Sequence, residues 1–323
     1  MSKTIVILGA GVAGLTHAVE LAKYNAQVHL VDPYMHPGAH QCSWWAGGML
    51  APYCESATAE PMIANLGEEA AAWWQSFPGL VQQRGSLVVA TSRDQQQLVQ
   101  FARRTTNHSW LKQEELASYE PDLAAHFPKA LFYKDEAHLD PRAALNALWN
   151  EIRKHNIGIS KDIPSISYDY LVDCRGLAAQ DELPELRGVR GEMLMLFSKD
   201  INYQRPIRFL HPRYPLYIVP RGKGVFMLGA TQIESQHRGP ITVRSAVELL
   251  NAAYSLHPGF AEAEIIEMGA DARPAFFDNL PRIISKNNKI YVNGLFRHGF
   301  LLAPALACRT TALILEGKEP ALS

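Results

Sequence analysis

Residues 4–32 constrain the fold more than any other part of this chain. An apolar run, Thr4-Ile5-Val6-Ile7-Leu8, leads into Gly9-Ala10-Gly11-Val12-Ala13-Gly14, and a second apolar run ends at Asp32. That order reads as strand, turn, helix, strand, acid: a βαβ unit that binds a dinucleotide. Gly9 serves the tight turn, Gly11 lets backbone approach a pyrophosphate, and Gly14 allows close helix-on-strand contact. The helix opening near Gly11 points its free N–H groups, around Val12 and Ala13, at the phosphates, while Asp32, followed by Pro33, accepts from a ribose hydroxyl. The fingerprint alone does not separate NAD from FAD.

A chain of 323 residues exceeds one comfortable hydrophobic core, so two interleaved or consecutive domains are expected. With 47% apolar residues, 20% charged residues and a formal net charge of -1, nothing marks a nucleic-acid or membrane-surface binder, and a small neutral or zwitterionic substrate fits better. Cys42, Cys54, Cys174 and Cys308 lie far apart without paired spacing, which argues against a disulfide framework and against a metal site. The first strand begins at about Thr4 and leaves no room for a signal peptide, so the expected compartment is the reducing cytoplasm. No apolar run approaches the ~20 residues that span a bilayer.

Apolar residues recur at helical spacing from Pro61 to about Trp74 and from Asp94 to Arg104, with a strand at residues 85–90 between them. Asp140 and Pro141 open a further helix to about His155 as N-cap and first-turn proline. Tyr170 to Asp173 reads as a return to the nucleotide sheet. Glu192–Phe197, Ile207–His211, Leu216–Pro220 and Val225–Gly229 read as strands. A helix from Val243 to Leu256, strands near Glu264–Gly269 and Lys289–Asn293, and a closing helix from Leu302 to Glu316 with Gly317 at C′ complete the chain. The expected fold is α/β: a Rossmann-like nucleotide domain from residues 1–60, 140–187 and 285–323, and a discontinuous α+β substrate domain on an antiparallel or mixed sheet from 61–139 and 188–284. A ligand would sit between them.

Several segments, in order, resemble the D-amino-acid-oxidase-like flavoproteins and, within them, the glycine oxidases of thiamine biosynthesis. They are Cys42-Ser43-Trp44-Trp45-Ala46-Gly47-Gly48-Met49-Leu50-Ala51-Pro52, Asp173 to Ala179, Leu216 to Arg221 with Gly229-Ala230-Thr231, Arg273-Pro274 with Asp278-Asn279-Leu280-Pro281, and Asn293 to Pro304. The resemblance implies FAD as cofactor, with Cys42, Ser43, Gly47, Gly48 and Met49 in the flavin-contacting loop and Leu295, Phe296, Arg297, His298, Gly299, Phe300 and Leu301 along the flavin edge. It further implies oxidation of glycine to its imine, molecular oxygen as acceptor with release of hydrogen peroxide, and thiazole synthesis as the destination of the imine, which makes thiazole synthase a candidate partner. A homo-oligomer is open.

An amino acid must be held by its carboxylate with its α-carbon against the flavin, and a planar guanidinium fixes that orientation best. Arg273, which aligns with the family's carboxylate-binding arginine, is the first candidate. Tyr217 matches the family tyrosine that adds a second contact to the carboxylate. Arg297 precedes the closing helix, whose N–H groups would stabilise negative charge on reduced flavin, and its side chain would serve the substrate; His298 contributes backbone. Glu55, just past the glycine loop, is a candidate for the substrate amine. The chain departs from the family pattern at Gln232, where glycine oxidases usually have methionine, at Asp32, where glutamate is commoner, and in the short stretch between His155 and Tyr170, where strands of the usual meander are expected to be missing. Sarcosine or a small D-amino acid as substrate, an acceptor other than oxygen, and an accessory flavoprotein with little turnover remain alternatives.

Overall fold

The computed structural model describes residues 2–211, 213 and 215–322; the terminal residues of the expected nucleotide domain, Met1 and Ser323, lie outside them. Thr4–Leu8 is buried among parallel neighbours on both sides, which is why it reads as an unbroken apolar run rather than an alternating one. It sits inside a six-stranded sheet in the order Arg282–Lys286, Lys289–Asn293, Tyr170–Asp173, Thr4–Leu8, Gln27–Val31, Gly158–Ser160. All pairings are parallel except the edge hairpin of Arg282–Lys286 with Lys289–Asn293. The chain thus returns at Tyr170 beside the first strand, and Gly158–Ser160 adds an edge strand not read from the sequence. No strand lies between Ser160 and Tyr170, in keeping with the expected loss of the meander.

Three helices, Val12–Ala22, Pro141–Lys154 and Gly299–Glu316, share the core on one side of this sheet. Val12–Ala22 is buried over most of its length and packs against the closing helix, Gly299–Glu316. The latter starts three residues before the expected Leu302 and ends on Gly317 in the left-handed conformation (φ 69°), as a C′ glycine should. At 18 residues with mean hydropathy 1.4 it is long and apolar enough to cross a membrane, contrary to the sequence expectation. Its composition has another cause: Phe300, Leu301, Leu302, Ala305, Leu306 and Ile314 are core residues. Ile63, Leu66, Ala70 and Trp74 join that core, although their segment was assigned to the substrate domain. The helix expected over Pro61–Trp74 is two helices, Pro61–Gly67 and Ala70–Trp74; at Gly67 a Cβ would press on the Leu301 side chain.

The second sheet has nine strands and is mostly antiparallel. Its backbone is the long strand Arg187–Phe197, paired on one side with Val225–Gly229 and on the other with Glu264–Ala275, which runs six residues beyond its expected end and carries Arg273 and Pro274 within it. Ser109–Lys112 and Lys129–Tyr133, with the helix Gln113–Tyr119 between them, were not anticipated. Period-two alternation divides this sheet sharply. Leu194, Leu196, Ile218, Phe226 and Leu228 face a core completed by Leu249, Ala252, Ala253 and Leu256 of the helix Val243–Leu256. Tyr217, Gly229, Met193 and Gly269, opposite one another in register, face the other way, as do Gly191, Asp271 and Arg273 two and four positions along. The functional side chains lie on that second face.

Candidate active site

The dinucleotide fingerprint folds as its glycines require. Gly9 has φ 94°, a conformation that strains any residue with a Cβ, and a Cβ at Gly14 would collide with the Gly9 carbonyl oxygen. Gly11 caps the helix Val12–Ala22 in extended conformation with no side-chain cap, so the first amides of the helix point outward; that of Val12 donates to Ser43 Oγ at 3.1 Å. Asp32 is buried and accepts from the amides of Ala10 (2.9 Å) and Tyr34 (2.9 Å), which pins the acid at the end of the second strand, with Pro33 exposed beside it.

The N-terminus of the closing helix meets that of Val12–Ala22: a Cβ at Gly299 would lie 3.3 Å from Val12 Cγ1. His298 caps the closing helix without a side-chain hydrogen bond, and the first intrahelical bond is Leu302 N–H to the His298 carbonyl, so the amides of Gly299, Phe300 and Leu301 have no partner within the helix. Two helix N-termini with free donors therefore converge on one locus. Ala13, Gly11, Cys42, Ser43, Gly47, Met49, Arg297 and Gly299 are only partly buried around it, while Leu295, Phe296, Phe300 and Leu301 form its buried backing. Gly48 is at φ 71°, and a Cβ there would run into the Leu139 carbonyl. Arg221 clamps this loop by donating to the carbonyls of Gly47 (2.8 Å) and Leu139 (3.1 Å), and burial pushes its pKa down to about 10. A bare backbone cradle and two helix N-termini as donors, with a carboxylate acceptor at the end of the second strand, are the polar groups a diphosphate-linked dinucleotide needs.

On the second sheet, missing side chains make room for large ones. Gly191 has no Cβ because the Arg273 guanidinium lies over it, and Gly269 none because the Trp45 ring does. Arg273 Nη1 donates to the Thr231 carbonyl at 3.1 Å, and among the described residues it has no carboxylate partner; burial lowers its pKa, only partly offset by the nearby Cys42 thiol and Tyr217. Gln232, next to Thr231, is exposed. Tyr217 and Arg297 are brought together by Glu55: Tyr217 Oη donates to Oε1 at 2.7 Å and Arg297 Nη2 to Oε2 at 2.6 Å. Arg297 also reaches Thr58 Oγ1 at 2.9 Å. His298 places its Nδ1 3.6 Å from Glu55, and burial lowers its pKa to about 4, so the ring stays neutral near pH 7. Its side chain therefore belongs to the cluster as well as its backbone.

Sequence reasoning missed Arg208 and Glu136. Arg208 is buried, donates to the Cys54 carbonyl at 3.0 Å and lies 3.5 Å from Glu55. Alternation in Ile207-Arg208-Phe209 shows only that it faces away from the core.

The DAO family model, "FAD dependent oxidoreductase", matches residues 4–313. This chain belongs to that family. A Rhizobium etli protein assigned to thiamine biosynthesis as the oxidoreductase ThiO is 50% identical over 321 residues, 98% of each chain. The glycine oxidase of Pseudomonas aeruginosa is 27% identical over 99% of this chain and 96% of its own, and the bifunctional protein ThiO/ThiG of Nostoc is 26% identical over 100% of this chain and 54% of its own. A crystal structure of glycine oxidase from Geobacillus kaustophilus superimposes with a TM-score of 0.81 at 22% identity, covering 100% of this chain and 97% of that one. As a DAO-family oxidoreductase the chain uses FAD, and the cradle of glycine turn and paired helix N-termini fits it.

Proposed function

We propose that this chain is a FAD-dependent amino-acid oxidase that converts glycine, or a similarly small amino acid, to its imine for thiamine thiazole synthesis. The observation that carries this reading is Arg273: a guanidinium on the sheet face toward the flavin loop, with no carboxylate partner among the described residues. Such a group is under electrostatic strain until an anion arrives, and a bidentate substrate carboxylate relieves it. FAD, held by the turn of Gly9, Gly11 and Gly14 and by the amides of Gly299 to Leu301, would supply the acceptor for a hydride from the α-carbon, with molecular oxygen as the final acceptor and hydrogen peroxide as its product. The protein's part is positioning: Arg273 would fix the carboxylate, Trp45, Met193 and Met227 would exclude water, and the free amides of Gly299 to Leu301 would stabilise negative charge at the flavin edge. The 50% identity to a relative assigned to thiamine biosynthesis supports the destination of the product, and the 27% identity to the glycine oxidase of Pseudomonas aeruginosa supports glycine as substrate. The fusion of a related chain to ThiG in Nostoc supports thiazole synthase as the partner that receives the imine.

The purified protein should be yellow, and anaerobic glycine should bleach it; readmitted air should restore the colour with peroxide formed. A protein that binds FAD but stays oxidised under glycine would overturn the substrate, and a colourless protein that takes up no added FAD would overturn the site.

A further inference from the structure

Two residues of the long strand Arg187–Phe197 are charged and buried, and neither belongs to the face that carries Arg273. Arg190 is 3% exposed and Glu192 0%. They flank Gly191 and, by alternation, point with Leu194 and Leu196 to the opposite face of the sheet. Arg190 donates to Glu192 Oε1 through Nε (2.9 Å) and Nη2 (2.8 Å). Burial would raise the pKa of Glu192, but hydrogen bonds from Ser245, Arg190 and Thr231 outweigh it and hold the carboxyl below its usual range. An ion pair taken out of water contributes little net stability compared with an apolar pair of the same size, so what it supplies here is location.

The pair locates both ends of the connection from Thr231 to Pro240. Arg190 gathers the far end by donating to the carbonyls of His237 (2.7 Å), Gly239 (2.9 Å) and Pro240 (2.6 Å). Glu192 grips the near end three times: the Thr231 amide donates to its carbonyl at 3.2 Å, Thr231 Oγ1 donates to its Oε2 at 3.0 Å, and the same Oγ1 accepts from its amide at 3.0 Å. An ionised carboxylate can only accept, so the hydroxyl proton has one direction. The remaining polar group of Thr231 is its carbonyl, and to this Arg273 Nη1 donates at 3.1 Å. The guanidinium itself lies over Gly191, in the gap between the two charged residues. We propose that Arg190 and Glu192 are positioning residues for the substrate's carboxylate: through Thr231 they fix the carbonyl that aims the Arg273 guanidinium. This rests on the amino-acid oxidase reading and adds to it residues that never touch the substrate. Two parallel hydrogen bonds to a carboxylate need the guanidinium plane set to within about 10–20°, and one fixed acceptor removes that freedom before the substrate arrives. Because Arg190 neutralises Glu192, a neutral carbonyl does the aiming, and the charge of Arg273 is left for the ligand.

The test titrates the holoenzyme with glycolate, which has glycine's carboxylate and no amine, and follows the flavin absorbance, with glycine kinetics beside it. Wild-type turnover of glycine establishes the oxidase reading, and weaker glycolate binding in Arg273→Lys establishes the carboxylate role; failure of either overturns that reading, and the proposal with it. Where both hold, Thr231→Val, which deletes the hydroxyl at nearly constant shape, should weaken glycolate about fivefold and raise KM for glycine by the same factor, with kcat within about twofold. Thr231→Ser should recover most of the loss. In an Arg273→Lys background, Thr231→Val should weaken glycolate by less than about twofold, since the group it aims is already gone. A purely structural threonine would lower the melting temperature and leave glycolate binding unchanged, or weaken it equally in both backgrounds, and either result overturns the proposal. Should Thr231→Val not take up FAD, Glu192→Asp decides by the same titration. It keeps the charge that neutralises Arg190 but draws the carboxylate back from Thr231, so glycolate should again weaken, and an unchanged affinity sinks the idea.

Discussion

Arg273 is an unusual residue to leave half-buried beside Arg297 with no counter-charge among the described residues, and its removal should show where the missing anion comes from. Truncating one partner of a desolvated charge pair costs about 2–5 kcal/mol. Arg273→Ala should therefore raise KM for glycine at least about 30-fold with the FAD spectrum intact; an unchanged KM would remove the guanidinium from the substrate. Glu136 makes a second, pH-dependent prediction. Buried under Cys54 and Ser86 and facing Glu55, with Arg208 nearby, its carboxyl is pushed up to about 7 chiefly by burial, against 4.5 for the ordinary group. The native state then holds a proton that the unfolded state has released, so stability falls as pH rises through this window and levels off above about 7, a change of about 3 kcal/mol at 1.36 kcal/mol per pH unit. Glu136→Gln keeps the shape without the titration. Its melting temperature relative to wild type should climb between pH 5 and pH 8, and a constant difference would show that Glu136 does not titrate there. At this scale Arg273 and Tyr217 were legible because short motifs surround them. The cluster that orients Tyr217 was not, because Cys54 meets Glu136 across 82 positions and Arg208 across 154, and no local pattern encodes such a meeting.

Elements were legible where backbone geometry is decided locally. Gly9 and Gly14 announce a strand packed on a helix because no other residue fits there, and Gly14→Ala should yield protein without FAD, or no folded protein, by absorbance at 450 nm and circular dichroism. A yellow, fully folded Gly14→Ala protein would mean that the turn relaxes more than close packing allows. Asp140 caps its helix as read, accepting from the Arg142 and Ala143 amides. The errors came where tertiary contact overrides the local signal. The strand beginning at Glu264 was expected to end at Gly269, yet pairing with the long strand carries it through Pro274, opposite Gly188, to Ala275, since a strand with a free edge tolerates a proline. The lone bridge of Gly158–Ser160 to Gln27–Val31 is three residues long and carries no periodicity to detect.

On the scale of the molecule, the two sheets are tied together around the flavin loop rather than by a hinge. Arg238 pairs with Asp271 at 2.5 Å and donates to the His40 carbonyl at 2.7 Å, Arg142 pairs with Glu267 at 2.7 Å with its guanidinium over Trp44, and Trp45 covers Gly269. All three contacts join residues 40–45 or the helix behind them to one strand, Glu264–Ala275. The interleaving of the segments was readable from the return of the chain at Tyr170, but these cross-links were not, since Arg142 reaches Glu267 across 125 positions and Arg238 reaches His40 across 198, and no local pattern encodes such meetings. The meeting of Val12 with Gly299 has a consequence for how the protein is made. One part of the cofactor's cradle lies at Val12 and the other at Gly299, so a growing chain on the ribosome has no complete place to lodge FAD until Gly299 has been made, and loading follows the synthesis of both.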